Sequence, residues 1–541
     1  MRSAFGASES NKSLTYISTT MSFKEYPPNY HFGHVAFERL SLYPDRVCQI
    51  DAATGAEESY ESVLKRSVSL AKGLRAYGLT PGDVVAIGGL NHLDICIPHF
   101  AALFNGLPIV GVDPYFKYDE MRALFDITRP KIAFCQNESY DTYARAAADL
   151  KLDIKLVNFD EGECTMKKFI EMYEEPEHVE DFKVAEYDLD KVYPFLICTS
   201  GTSGKLKVAA FKNESLLKKC YSKDQKRDPT TKTTLLLAPV NWISFFFSPI
   251  GVAASGGIRL QTSRPDNYDH IIDMINKYKP EIALLSPALI GRLLARQNEV
   301  DLTCFKNITV TGSKLYQDIQ AGFKKLLASN CMLMEAYGQT ESIGPVLAPN
   351  VFGPPGSCGR PVDMYTVKLV DPDTGVEIKE PNVTGEVFVK GPGFSCYYND
   401  PEETANSFTE DGFFKTGDLL YRDKDNNYYF VDRCKTLMKY RNHHIYPAEL
   451  EEVINRHPGV KDVCVVGIED PVDGQRPVAC VVRHGDSDVS AQEIKDLITR
   501  NLSKNKELRG GVLFLDSLPY TSTGKIQRNK VKEIAINAKR E

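Results

Sequence analysis

No basic excess is present: 65 Lys and Arg residues stand against 72 Asp and Glu, a net charge of −7, so a nucleic acid backbone has no broad cationic partner here. The 13 cysteines include no C-x-x-C pair, which argues against a disulfide framework or a zinc site of that spacing and fits a reducing compartment. Residues 1–22 lack the apolar core of a cleavable signal peptide, although with Glu9 as their single acid they keep some transit-peptide character. The ending Lys539-Arg540-Glu541 is not the peroxisomal Ser-Lys-Leu address. Thr233–Ile258 carries no charge, but Pro239, Asn241, Pro249 and Gly256-Gly257 divide it into pieces too short to span a bilayer. Internal repeats and low-complexity segments are absent. His443 and His444 are adjacent and cannot share a helical face as metal ligands. Gly391-Pro392-Gly393-Phe394-Ser395-Cys396 fails the dinucleotide fingerprint at its last position.

What is present is a large globular composition. The 541 residues are 43% hydrophobic and 25% charged, and at roughly 100–200 residues per domain they correspond to about three to five compact units. Apolar positions at helical spacing in 59–78, closed by Gly78, are followed by the strand-like run 83–89. The same rhythm returns as helix 267–279, strand 281–286, helix 287–296 and strand 307–312. Such alternation predicts α/β layers with largely parallel sheets. After about residue 360, MYTVKLVD, GEVFVKG and NNYYFVDR read as strands of a β-rich unit. Beyond Asp432-Arg433 the order is helix 447–457, two short strands, helix SAQEIKDLITRNL and a final strand GVLFLDSL, a compact α+β module.

Chemistry concentrates in five motifs. Cys198-Thr199-Ser200-Gly201-Thr202-Ser203-Gly204-Lys205 packs hydroxyls, glycines and a lysine after the strand-like VYPFLI. Backbone N–H groups approach phosphate closely at glycine, hydroxyls donate, and lysine adds charge. It is not a Walker A loop, because only two residues separate the glycines and Leu206 follows the lysine. Tyr337-Gly338-Gln339-Thr340-Glu341, Thr416-Gly417-Asp418, Asp432-Arg433-Cys434-Lys435 and Thr521-Ser522-Thr523-Gly524-Lys525 follow in that order.

Together these motifs resemble the adenylate-forming superfamily of acyl- and aryl-CoA synthetases, beetle luciferases and peptide-synthetase adenylation domains, over essentially the whole chain from about residue 30. The resemblance implies a large N-terminal domain (31–434) of layered α/β subdomains plus a β-rich unit, preceded by an extension (1–30) and followed by a small mobile α+β domain (435–541) hinged near Lys435. It implies that Thr199, Ser200, Gly201, Thr202, Ser203, Gly204 and Lys205 close over the β- and γ-phosphates of ATP. Tyr337 and Gly338 would flank adenine, Thr340 would meet the α-phosphate, and Glu341 would hold Mg²⁺. Asp418 and Arg433 would serve the ribose, and Lys525 would bridge the α-phosphate and the acid. The segment Lys439-Tyr440-Arg441-Asn442 is similar to the clade of coumarate-CoA ligases, insect fatty acyl-CoA synthetases and luciferases, in which Lys439 would serve transfer to coenzyme A. The acid is expected between Trp242–Phe247, Gly312-Ser313-Lys314 and the stretch after Glu341.

The chain departs from that pattern in places. Leu206-Lys207-Val208 replaces Pro-Lys-Gly, Asn213 replaces a histidine, and Trp242 stands where relatives place histidine or an aromatic gate. Asn442 replaces a glycine beside the pantetheine tunnel, where its side chain either narrows the tunnel or occupies a left-handed turn that asparagine tolerates. The expectation is therefore an ATP- and Mg²⁺-dependent acid–CoA ligase acting on a fatty or aromatic acid. The alternatives are an adenylating enzyme with another acceptor, luciferase-type oxygenation included, and a catalytically weak nucleotide- or acyl-binding homologue. Intact Lys525, Glu341 and Asp418 weigh against the last. The location expected is intracellular, cytoplasmic or, by family resemblance, peroxisomal.

Overall fold

The computed structural model describes residues 27–173, 179–200, 206–220, 232–348, 353–441, 443–485, 487–520 and 525–541, the side chains of Ser200 and Cys220 excepted. Within them, one seven-stranded sheet runs Lys155–Asn158, Ile132–Cys135, Val85–Gly88, Ile109–Val112, Phe195–Ser200, Leu206–Phe211, Cys396–Tyr397. Its strands are parallel as far as Phe195–Ser200 and antiparallel beyond. Val85–Gly88, Ile109–Val112 and Ile132–Cys135 are buried along their whole length, as parallel strands covered on both faces must be. A second seven-stranded sheet runs Ala56–Ser59, Val47–Asp51, Ile258–Gln261, Thr233–Leu235, Ile282–Leu285, Asn307–Val310, Met332–Glu335. Only its first pair is antiparallel.

Local chemistry sets the helix limits. Tyr60–Ala76 starts where the Ser59 hydroxyl accepts from the Ser62 N–H at 3.2 Å, which satisfies one of the orphan donors of a first turn. Tyr268–Tyr278 is capped by Asn267 and buries Ile271, Ile272, Met274 and Ile275 on one face. Thr233–Ile258 divides into a short strand, the helix Ile243–Ala253 and the start of another strand. Among the described residues no helix is long and apolar enough to cross a membrane.

The β-rich unit is a five-stranded antiparallel sheet ordered Glu377–Ile378, Thr366–Val370, Gly385–Lys390, Phe414–Arg422, Tyr428–Arg433. The last sheet holds His443–Ile445, Met438–Tyr440, Gly474–Arg483 and Val460–Asp470, with Gly511–Leu515 parallel to Gly474–Arg483. Three expectations are corrected here. The two short strands are one long hairpin of 11 and 10 residues, turned where the Asp470 carboxylate accepts from the N–H groups of Val472 and Asp473. Helix 447–457 ends at Ile454. Gly511–Leu515 is not the final element: the helix Arg528–Asn537 follows, with Val531 and Ala535 as its buried residues. Every cysteine whose side chain is described is a free thiol.

Candidate active site

Tyr337–Gln339 turns through Thr340–Ser342 into the antiparallel strand Gly344–Ala348. The two arms approach so closely that a Cβ on Gly338 would lie 2.1 Å from the Gly344 carbonyl oxygen, so the turn admits only glycine there. This folding aims two side chains at one carboxylate. The buried Tyr337 phenol donates to Asp418 Oδ2 at 2.9 Å, and the Gln339 amide donates to the same oxygen and to the Thr416 carbonyl. Asp418 is 2% exposed. Its Oδ1 lies 3.1 Å from Arg433 Nε as an ion pair, yet this oxygen is buried without a hydrogen bond. Burial raises the Asp418 carboxyl above its ordinary range, while Arg433, Gln339, Tyr337 and Lys525 hold it down. The charge is thus compensated, and one carboxylate oxygen is left buried without a hydrogen bond.

Glu341 follows on the same turn and accepts from the Tyr397 phenol at 3.0 Å. The Tyr397 phenol is held above its ordinary range by burial and by that carboxylate, so it is a donor. Among the described residues no group of three or more His, Cys, Asp and Glu side chains can hold a metal ion. A single carboxylate suits Mg²⁺, which takes its other ligands from nucleotide phosphates and water.

Lys525 reaches the same place from the small C-terminal unit. Its segment is fixed by the Tyr520–Ile526 bridge and by Arg528, which grips the buried Glu451 with contacts of 2.5 and 2.7 Å. Although Lys525 keeps a solvent-exposed surface, surrounding protein and the Arg433 charge push its ammonium below the usual lysine range, against the pull of Asp418 and Glu341. Lys525, Arg433, Asp418 and Glu341 therefore share one electrostatic neighbourhood.

Other expected residues lie elsewhere. Lys439 is 55% exposed and pairs with Asp373 at 2.5 Å, where His444 Nε2 also approaches to 3.1 Å; it does not join the Lys525 group. Lys435 lies in the turn between Tyr428–Arg433 and Met438–Tyr440. Its ammonium is lowered by burial and by Lys207, with Glu403 opposing. Trp242 is half-buried at the N-terminus of Ile243–Ala253. Of the following phenylalanines, Phe245 and Phe246 pack into the core around His99, and Phe247 packs against Phe32 and Phe195. Phe245 and Phe246 are buried, whereas Trp242 and Phe247 are half-buried. Gly312 has φ 100° and, like Ser313, is exposed. Thr199 is the next-to-last residue of the strand Phe195–Ser200, whereas Gly201, Thr202, Ser203, Gly204, Lys205, the Ser200 side chain and Asn442 lie outside the described residues. Arg441, beside Asn442, is left-handed at φ 46°. A cleft of about 740 Å³ between Leu90, Arg264, Asp266 and Arg296 contains none of the expected site residues.

Sequence reasoning overlooked several participants. Gln339 sits inside a recognised motif, but its hold on Asp418 depends on the hairpin's shape. Lys314, named only as part of the expected acid pocket, pairs with Glu452 of the small C-terminal unit at 3.0 Å. Glu335 Oε1 accepts weakly from Leu315 N–H at 3.4 Å and Oε2 is buried without a hydrogen bond. Burial raises the Glu335 carboxyl to about 7, with the Leu315 N–H and Lys314 opposing. Nothing in the local sequence signals this burial.

Known proteins match both the large unit and the small unit that carries Lys525. Residues 37–398 match the AMP-binding enzyme family and residues 449–525 match the AMP-binding enzyme C-terminal domain. The chain belongs to the AMP-binding enzyme family, within the adenylate-forming superfamily, and is an enzyme of that class. It is 30% identical over 523 residues to a luciferin 4-monooxygenase of Photuris pensylvanica, covering 93% of this chain and 95% of the relative. It is 28% identical to 4-coumarate–CoA ligase 3 of Oryza sativa subsp. japonica, covering 95% and 92%. The fold superposes on ATP-bound MatB from Rhodopseudomonas palustris with TM-score 0.81 at 24% identity, covering 93% of this chain and 99% of that one.

Proposed function

We propose that the protein is an AMP-forming acid–thiol ligase that activates a fatty or aromatic carboxylic acid with ATP and passes the acyl group to coenzyme A. The observation that carries this reading is the buried Asp418, held by Arg433 and by Tyr337 and Gln339, whose turn also carries Thr340 and Glu341, with Lys525 within electrostatic reach of it. The open Asp418 Oδ1 suits the ribose hydroxyls, and Arg433 keeps that carboxylate charged. The hairpin Tyr337–Ala348 would carry adenine on one side and bring Thr340 to the α-phosphate.

In the first step the acid's carboxylate oxygen attacks the α-phosphorus and pyrophosphate leaves, giving an acyl adenylate. Negative charge grows on the non-bridging α-phosphate oxygens, and Lys525 would stabilise it. Glu341 would hold Mg²⁺, which supplies charge neutralisation to the phosphates when bound. In the second step a pantetheine thiolate attacks the acyl carbon and AMP departs. Lys439 would serve that step after the small domain (435–541) turns about Lys435 relative to the large domain (31–434).

The named 4-coumarate–CoA ligase relative supports the thiol acceptor. The named luciferin 4-monooxygenase supports a second reading, in which oxygen takes the activated acid. Incubation with ATP, coenzyme A and a panel of acids, with products identified by mass, separates them. Acyl-CoA for at least one acid is the expected product. Acyl adenylate released without acyl-CoA for every acid would transfer the assignment to another acceptor.

A further inference from the structure

Glu341 is clasped from two directions by one segment. Its backbone carbonyl accepts from the Phe394 N–H at 2.7 Å, and its side chain accepts from the Tyr397 phenol at 3.0 Å. Gly393 is needed for this approach, since a Cβ there would lie 2.8 Å from the Glu341 carbonyl oxygen. The segment is anchored as a strand: Cys396 and Tyr397 pair with Ala210 and Ala209, on the strand that leaves the glycine-rich loop. Tyr397 itself is 6% exposed. The Lys207 ammonium lies 4.8 Å from the centre of its ring, and Lys207 is in turn fixed by an ion pair with Glu403. A cation on the ring face draws electron density from the phenol and strengthens its O–H as a donor.

We propose that Tyr397 is a positioning residue for Glu341, holding one carboxylate oxygen so that the other faces the magnesium ion that accompanies the nucleotide, with Lys207 and Glu403 fixing the ring. The inference rests on the reading of Glu341 given under the proposed function and extends it to residues outside the recognised motifs. A carboxylate on an unsupported turn samples several rotamers, and only some present an oxygen to the phosphates. One hydrogen bond from a buried, immobile ring removes that freedom before the ion arrives. The same strand pairing ties Leu206–Phe211 and the segment that holds Glu341 into one sheet.

Calorimetric titration of the full chain with ATP, in EDTA and in excess Mg²⁺, tests this for the wild type and Tyr397→Phe. The variant keeps the ring and the lysine contact but removes the donor. The expected result is ATP affinity in EDTA within about twofold of wild type, with the gain in affinity conferred by Mg²⁺ reduced about tenfold. The magnesium midpoint for pyrophosphate exchange should rise by a similar factor at unchanged KM for the acid. Glu403→Gln, which loosens Lys207 without touching the ring, should move the same midpoint upward by a smaller factor, roughly threefold. Equal losses in EDTA and in Mg²⁺ would make Tyr397 merely structural and overturn the proposal. So would a Tyr397→Phe enzyme with unaltered magnesium dependence. If wild-type ATP binding gains nothing from Mg²⁺, the reading of Glu341 fails in the wild type itself, visibly and separately from any variant, and the role of Tyr397 falls with it.

Discussion

Two lysines of the small C-terminal unit stand in opposite surroundings. Lys525 keeps an exposed surface but lies within electrostatic reach of the buried Asp418 and of Glu341 and Arg433, and its ammonium is held below the usual range. Lys439 lies largely in solvent, paired with Asp373 on the β-rich unit. In the first region Asp418 is buried, so charges beside it are less screened, whereas water and salt screen the exposed Lys439–Asp373 pair in the second. In the present arrangement Lys525, and not Lys439, is beside the Asp418 group, and substitutions in the two regions should differ sharply in size.

The largest effect is expected for Lys525→Ala. Losing one charge-stabilising donor slows adenylation about 10²–10³-fold, roughly 3–4 kcal/mol, while ATP binding stays within a few fold. Pyrophosphate exchange reads that step, and near-normal exchange would remove Lys525 from the chemistry. Asp418→Asn comes next. It preserves shape but leaves Arg433 uncompensated and makes the oxygen that Tyr337 and Gln339 share a weaker acceptor. Hydrogen bonds to a charged group contribute about 1.5–3 kcal/mol, so ATP affinity should fall roughly 10–100-fold by calorimetry. Unchanged affinity would break the link between that open oxygen and the nucleotide.

Glu335 sharpens the comparison from the stability side. Its folded carboxyl titrates at about 7 against an ordinary 4.5, so the folded state binds the proton more tightly than the unfolded chain. The resulting stability is fully present below pH 4.5 and is lost as pH rises through 7. Glu335→Gln, which cannot ionise, should therefore gain on the wild type with rising pH, by about 2–3 kcal/mol at pH 8. Thermal melts at pH 5 and pH 8 measure the difference, and a pH-independent offset would show that Glu335 is ionised at both.

The uneven legibility of the sequence follows from the same physics. Helix Tyr268–Tyr278 and the strand after it were readable because their caps and apolar spacing lie within a few residues. Arg528–Asn537 was not, since two buried positions in a polar run give no recognisable stripe. The motifs around Tyr337 and Asp418 could be read because each is a local turn. Their joining by Gln339 depends on the hairpin's register with Gly344–Ala348. The contact of Tyr397 with Glu341 spans 56 residues and depends on strand pairing that no local pattern encodes. Helical geometry turns Phe245 and Phe246 to the core and leaves Phe247 half-buried, a difference that the conspicuous run alone does not encode.

The smallest effect belongs to the exposed pair. Lys439 and Asp373 are 55% and 48% exposed, and such pairs contribute about 0–1 kcal/mol. Lys439→Ala removes both the tether and the group proposed for the second step, so by itself it cannot distinguish them. Asp373→Asn can, because it frees Lys439 and His444 together while leaving both in place. If the pair holds the present orientation of the two units, Asp373→Asn should slow pyrophosphate exchange by no more than about fivefold and should not slow single-turnover thioester formation from preformed acyl adenylate. Lys439→Ala should slow the thioester step far more than the exchange. Raising the salt should erase the Asp373→Asn difference and leave the Lys525→Ala defect intact, since only the exposed pair is screened. A salt-resistant Asp373→Asn defect as large as that of Lys525→Ala would mean that the two regions are not electrostatically distinct.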